Sequence, residues 1–139
     1  MISIQDSFTV ATSGRGMFDL TQGLIERVEK SKIKTGICQL FLHHTSASLV
    51  ICENANQDVQ NDLENFMRKT APDGHPDYRH VEEGPDDMSA HIRTILTQSS
   101  LSLPITAGEL ALGRWQGIYL WEHRTQEYQR RVTMTLIGT

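Results

Sequence analysis

The sequence predicts an α+β fold with a mainly antiparallel sheet core and about three helices. Three observations carry this prediction. Runs of β-forming residues bounded by Gly, Pro and polar turn material recur along the chain, and three other segments space their apolar residues at helical intervals. The resulting order, β, α, β, β, α, α and then about four strands, lacks the strict strand-helix alternation of a parallel-sheet protein.

The first strand runs from Ile2 to Thr12 and closes at the turn material Ser13, Gly14, Arg15 and Gly16. A helix follows, with Asp19 as N-cap and Gln22 at capping-box spacing. Leu20, Leu24, Ile25 and Val28 share one of its faces, and Lys30 and Lys32 suit its C-terminal dipole. The apolar stretch from Gly36 to Cys52 divides into two strands around His43 to Ser46, where the composition turns polar. In NANQDVQNDLENFMRKTAP, Val59, Leu63, Phe66 and Met67 fall at i, i+4, i+7 and i+8, which predicts an amphipathic helix ended by Ala71 and Pro72. From Asp73 to Gly84 the chain reads as a loop carrying His75, Tyr78 and His80. The third helix, DDMSAHIRTILTQ, opens near Asp86 and Asp87, with Met88, Ile92, Ile95 and Leu96 as its expected apolar side. LSLPI, GELAL, RWQGIYLWEH and RRVTMTLIG complete the chain as strands.

Residues 1–139 read as a single domain, long enough for a core without disulfide or metal staples. A net charge of -4 excludes a nucleic-acid module, because no basic stripe exists to replace phosphate counterions. Arg114 and the pair Arg130 and Arg131 suffice for a single phosphate group. Cys38 and Cys52 lie in strand-like runs and suit a reducing compartment, with a structural pair as the alternative. The N-terminal segment has neither a signal-peptide pattern nor a spanning apolar run, so a cytoplasmic protein without a membrane partner is expected.

His44, His80 and His91 are the residues that most call for a chemical explanation. His44 ends an apolar run in which Cys38, Leu40, Leu42 and His44 share one strand face. His80 and His91 bracket the acidic loop and helix start HVEEGPDDMSAH. Imidazoles converging from separate elements are the usual makings of a catalytic zinc site, although no H-x-x-x-H or C-x-x-C is present. Asp87, one turn before His91, is placed to receive its ring N–H and orient it; the plainer alternative is that Asp86 and Asp87 charge a helix N-terminus. Glu122 ends the apolar face of Ile118 and Leu120 and is a candidate general acid/base, with a solvated strand end as the alternative. Gln116 shares that face and offers an amide to substrate. Trp115, Tyr119 and Trp121 take the opposite face, for core or subunit packing. Glu53, Asn54 and Asn56 read as cap and turn residues that also have the chemistry to line a polar pocket. No G-x-S-x-G, Walker loop or G-x-G-x-x-G occurs, which leaves acyl transfer and nucleotide binding without a motif.

The strings HTSASL with ENAN, then DDMSAHI, GRWQGIYLWEHR and RRVTMTLIG closely resemble the YjbQ family, whose members are called secondary thiamine-phosphate synthases. The resemblance spans essentially the whole chain. It implies an α+β subunit with a β-sandwich-like core, a homotrimer, and a histidine-lined metal pocket; imidazole ligands make a divalent ion such as Zn²⁺ the first expectation there, with Mg²⁺, which prefers oxygen ligands, second. It also implies joining of a pyrimidine diphosphate to a thiazole phosphate with release of pyrophosphate, hence a small phosphorylated metabolite as partner. By position the family's motif residues fall on His44, Thr45, Ser46, Glu53, Asn54, His80, Asp87, His91, Trp115, Gln116, Gly117, Glu122 and Arg131. In these terms His44, His80 and His91 hold metal, and Glu122 and Asp87 serve catalysis. Thr45, Ser46, Glu53, Asn54, Gln116 and Arg131 bind substrate. One departure is Arg114 where the family usually has Thr; alternation puts it on the face of Gln116 and Glu122, so substrate preference is expected to differ if that face lines the pocket. The reading from another class is a non-catalytic metal- or metabolite-binding trimeric module.

Overall fold

The structure is a computed structural model describing residues 1–139. Its elements are β1 (Ile2–Ser13), β2 (Gly16–Asp19), α1 (Thr21–Ser31), β3 (Thr35–Leu42), β4 (Ala47–Glu53), α2 (Gln57–Thr70), α3 (Asp87–Leu96), β5 (Ser100–Thr106), β6 (Glu109–Leu110), β7 (Gln116–Glu122) and β8 (Glu127–Gly138). Five strands form one antiparallel sheet in the order β1-β8-β3-β5-β6, and three form a second in the order β2-β7-β4. Alternation sorts the side chains. Cys38, Leu40 and Leu42 with Val132, Met134 and Leu136 face inward from the large sheet. They meet Leu49, Ile118 and Leu120 from the small one, and Leu24 and Val28 of α1 close the same core.

Two backbone positions shape this sandwich. Gly14, at φ +108°, turns the corner where the chain leaves the large sheet after β1 and enters the small one as β2. The sequence reading had Gly16 inside a turn; instead it already pairs with Glu122. Gly36 and Gly138 face each other between β3 and β8, and a Cβ on Gly36 would stand 2.1 Å from the Ile137 carbonyl oxygen.

Helix starts differ in detail from the sequence reading. In α1 the N-cap is Leu20. Asp19 instead accepts the Thr21 N–H at 2.8 Å, and Gln22 turns to Glu26, so the capping box does not form. Asn56 caps α2 by accepting from the Asp58 N–H, and Glu53 accepts the Ala55 and Asn56 amides, which is the turn-locking role. Along α2, Met67 is buried but Phe66 is exposed.

α3 is reversed relative to the expectation. Ile95 is 82% and Leu96 55% exposed, whereas Asp87, Ser89, Ala90, Arg93 and Thr94 are buried. The reason is an ionic network beneath the helix. Arg93 donates to Glu64 of α2 at 2.9 Å, and Arg15 makes paired 2.9 Å bonds to Asp73, which also accepts from Ser89. Arg15 further donates to the His123 carbonyl. Satisfying these buried groups orients α3 more strongly than burying two aliphatic side chains does.

Both cysteines are free and buried, Cys38 in the large sheet and Cys52 in the small one; burial pushes the Cys38 thiol up to about 11. No helix is long and apolar enough to cross a membrane.

Candidate functional site

The site forms where the N-terminus of α3 meets the loop carrying His80 and the turn after β3. That loop is pinned: the Gly74 amide donates to the Pro85 carbonyl, and the Arg124 guanidinium donates to the Glu83 carbonyl at 2.7 Å. Asp86, the residue preceding α3, makes no side-chain cap. Its carboxylate takes Arg124 and the Thr125 amide and hydroxyl, which outweigh burial and hold it down at about 2. Asp87 is thereby fixed as the first residue of the helix.

Asp87 Oδ2 lies 2.6 Å from His80 Nε2 and 3.0 Å from His91 Nε2. The Asp87 carboxyl is nearly buried. Desolvation alone would raise its pKa, yet the His80 hydrogen bond and the charges of His91 and Arg124 hold it below the usual range. The three ligand atoms lie within 4.8 Å of one another. His91 donates its Nδ1–H to the Thr45 carbonyl at 2.9 Å, so in a neutral ring the Nε2 lone pair aims at the Asp87 oxygen. Two acceptors facing each other at that distance are reconciled by a positive charge between them, either a second proton on His91 or a bound cation. The donor set, two imidazole nitrogens and a carboxylate, fits a borderline ion such as Zn²⁺ better than Mg²⁺. The carbonyl that orients His91 is thus that of Thr45, whereas Asp87 offers one of the three clustered atoms that could hold an ion.

His44 does not join this cluster. Its Nε2 accepts the Arg131 main-chain N–H at 2.8 Å, its Nδ1 stands beside Arg130, and burial followed by the Arg130 charge lowers its pKa. A ring committed to the β8 backbone has no lone pair aimed at His80 and His91.

Glu122 is fully buried and receives Arg130 through both carboxylate oxygens, at 2.8 and 2.5 Å. It also receives the Thr12 hydroxyl at 2.6 Å and the Arg124 amide at 3.2 Å. With four donors on its two oxygens, it is placed as an anchor rather than as an accessible acid/base. Ser46 belongs to the same anchor, accepting from Arg130 at 3.0 Å. Arg131 is exposed on the outer face of the large sheet beside His44.

The remaining residues singled out in the sequence lie at the far end of the small sheet. Ala47 pairs with Glu122 at one end of the β4–β7 ladder and Glu53 with Gln116 at the other, six residues away or about 20 Å. Gln116 accepts the Gly113 amide and Asn54 bonds to the Arg114 and Trp115 carbonyls, so these side chains lock a turn. Arg114 precedes the first residue of β7, outside the alternation, and lies over the Trp115 ring; it does not line the histidine site. Trp115 is exposed, while Tyr119 and Trp121 are buried within the chain.

Sequence reasoning passes over His123 and Arg93, and names Arg130 only with Arg131 as a phosphate partner rather than as the counter-ion of Glu122. Arg130 was legible, since it shares the inward parity of Val132, Met134 and Leu136. His123 is the last residue of the predicted strand RWQGIYLWEH, one past the end of β7, and Arg93 stands on the helix side expected to face solvent.

An open cleft of about 740 Å³ adjoins His80 and His91, walled by Met88, Thr94, Ile95 and Thr97. The cluster and the cleft therefore share one opening.

The family described as UPF0047 protein YjbQ-like matches residues 6–139. The chain is 45% identical over 134 residues to a UPF0047 protein of Synechocystis, covering 96% of this chain and 91% of that protein. To the UPF0047 protein YjbQ of Escherichia coli O157:H7 it is 38% identical over 135 residues, covering 96% and 97%. A crystal structure of a YjbQ/UPF0047 family protein from Clostridium acetobutylicum superposes with a TM-score of 0.86 at 34% identity, over 95% of this chain and 99% of that one. A hypothetical protein from Aeropyrum pernix reaches a TM-score of 0.88 at 26% identity, over 98% and 99%. With sequence and fold in agreement over nearly the full length, the chain belongs to the YjbQ-like UPF0047 family.

Proposed function

We propose that His80, Asp87 and His91 hold one divalent metal ion, Zn²⁺ in preference to Mg²⁺, and that this centre binds a small phosphorylated metabolite. The carrying observation is the His91 ring, whose Nδ1–H is spent on the Thr45 carbonyl while its Nε2 faces the Asp87 carboxylate at 3.0 Å. Elemental analysis of the purified protein tests it. About one ion per chain is expected, falling at least about ten-fold in His80→Ala and in His91→Ala. Wild-type protein without metal, or variants that keep it, would remove the centre.

The activity suited to this site is that implied by the resemblance: union of a pyrimidine diphosphate with a thiazole phosphate, releasing pyrophosphate. A bound metal would neutralise the departing phosphate oxygens, and Arg131, exposed beside His44, is the residue the resemblance assigns to the anion. Weak, metal-dependent formation of thiamine phosphate is the expected result, lost in His91→Ala. One observation favours a second reading, a metal-binding module without turnover: Glu122, the candidate acid/base, is tied to Arg130, and the 4.8 Å cluster contains no carboxylate besides Asp87. Metal-loaded protein that gives no product above background decides for the module.

The same proposal includes a homotrimer assembled through the outer face of the large sheet. Three ladder rows, Ser3-Ile137-Ile37-Pro104, Gln5-Thr135-Gln39-Ser102 and Ser7-Thr133-Phe41-Ser100, contain no charged residue although 22% of the chain is charged. Ile37, 54% exposed, and Phe41 supply apolar contact area, and a neutral face meets another copy without like-charge repulsion. Light scattering coupled to gel filtration should give a trimer that dissociates in the double variant Ile37→Lys/Phe41→Lys; a monomeric wild type at micromolar concentration would end this part of the proposal.

A further inference from the structure

The cleft beside the cluster has a floor whose hydrogen positions can be worked out. Thr97 has one hydroxyl proton, and it points to the Arg93 carbonyl at 2.7 Å, closing the last turn of α3. Ser48 also touches the Thr97 hydroxyl, so Ser48 must be the donor in that contact. Ser48 then accepts from His123 Nε2 at 2.8 Å, which fixes His123 as the tautomer carrying its proton on Nε2. His123 Nδ1 is left as a bare lone pair with no partner, in agreement with this chain of donors. Burial, followed by the charges of Arg93, Arg15 and Arg130, keeps the ring neutral, so the direction of the chain does not reverse on protonation near neutral pH. Thr94, the next hydroxyl on the floor, likewise turns its proton to a main-chain carbonyl, that of Ala47 at 3.4 Å.

Of the four hydroxyl side chains lining the cleft, the two on this floor, Thr94 and Thr97, have therefore committed their protons to the protein and present only lone pairs to a ligand. The floor is also stitched to the sheets, since the Gln98 and Ser99 carbonyls accept from the Leu49 and Leu42 amides, so it cannot easily turn these groups round. No lysine or arginine lines the cleft. At the Thr94–Thr97 floor an anionic group meets two oxygens with no proton to give, whereas an amide, amine, amidine or hydroxyl N–H or O–H finds acceptors.

We infer that this cleft is a binding subsite for the uncharged or cationic, hydrogen-bond-donating part of the ligand, with Thr97 as its specificity-determining acceptor. The inference deepens the proposed function and rests on it only for the ligand's other, anionic end. Metal and phosphate belong at the Asp87 side of the opening, and the donor group belongs on the threonine floor.

Benzamide and methyl benzoate test this directly. They share a ring and nearly a shape, but only benzamide carries an N–H. Each is titrated into ¹⁵N-labelled full-length protein as purified and again after chelation, following the amide signals of Thr94, Thr97, Gln98 and Ser99. Benzamide should bind at least about ten-fold more tightly than methyl benzoate in both preparations. Thr97→Val should weaken benzamide by about the same factor, and Thr97→Ser, which restores the acceptor, should return it to within about two-fold of wild type. Equal binding of the two probes, or a Thr97→Val protein that holds benzamide as well as wild type, would overturn the subsite. The probe comparison needs no variant, so a folding defect in Thr97→Val leaves it decisive. The chelated arm reads the cleft without reference to metal, so loss of the metal centre and loss of the subsite give different results.

Discussion

Arg130→Met is expected to cost about 3–5 kcal/mol of folding stability, because it leaves the Glu122 carboxylate fully buried without its counter-ion. In a chain of this length that corresponds to a fall in Tm of roughly 10–20 °C. Paired replacement behaves differently. Arg130→Met/Glu122→Leu removes both charges and leaves the Thr12 hydroxyl a second acceptor at the Tyr128 carbonyl, so it should recover most of the loss. Urea melts of the two single variants and the double variant measure the coupling. A single-variant loss below about 1 kcal/mol would mean that Glu122 reaches water or takes up a proton, and its role as general acid/base would reopen.

Acid should destabilise this protein through one particular imidazole. His123 is fully buried and its pKa is pushed down to about 3, first by desolvation and then by the charges of Arg93, Arg15 and Arg130. The unfolded chain binds a proton at this position near pH 6.5, while the folded chain does not until about pH 3. Stability tied to His123 is therefore fully present above pH 6.5 and drains away as pH falls toward 3, by up to about 4–5 kcal/mol over the whole window. At pH 4.5 the loss should be about 2–3 kcal/mol relative to pH 7. His123→Gln keeps an N–H for Ser48 and cannot titrate. Its urea stability should drop by that much less between the two pH values, whatever the variant costs at neutrality. Parallel pH curves for wild type and variant would show that the ring is not the group responsible.

The parts of the fold legible in the sequence were those governed by local periodicity. The break between β3 and β4 at His43 to Ser46, the end of α2 at Ala71 and the four C-terminal strands all follow from side-chain alternation and turn chemistry. β2 escaped because four residues carry too little pattern to separate a strand from the turn before it. α3 was misjudged for a different reason: hydropathy reads Ile95 and Leu96 as inward, but the partners of Arg93 and Ser89 come from residues far away in the sequence. The site divides in the same way. His80, Asp87 and His91 lie within one short stretch, and the i, i+4 spacing of Asp87 and His91 already brings two of them together. His44 shared a strand face with the core, as expected, yet where its ring points depends on β8, nearly ninety residues later.

The large sheet also has a temporal side. β8 lies between β1 and β3, so residues 127–138 supply hydrogen-bond partners to both. During synthesis β1 emerges first and waits for a partner that is made last. Until then its backbone is an unpaired edge, and the loop that must close is nearly the whole chain. Folding of this sheet is thus a late, long-range event on the ribosome, with a slower rate than the chain's size alone would set. Nascent chains stalled before residue 127 should be captured by chaperones, while chains released after it should not.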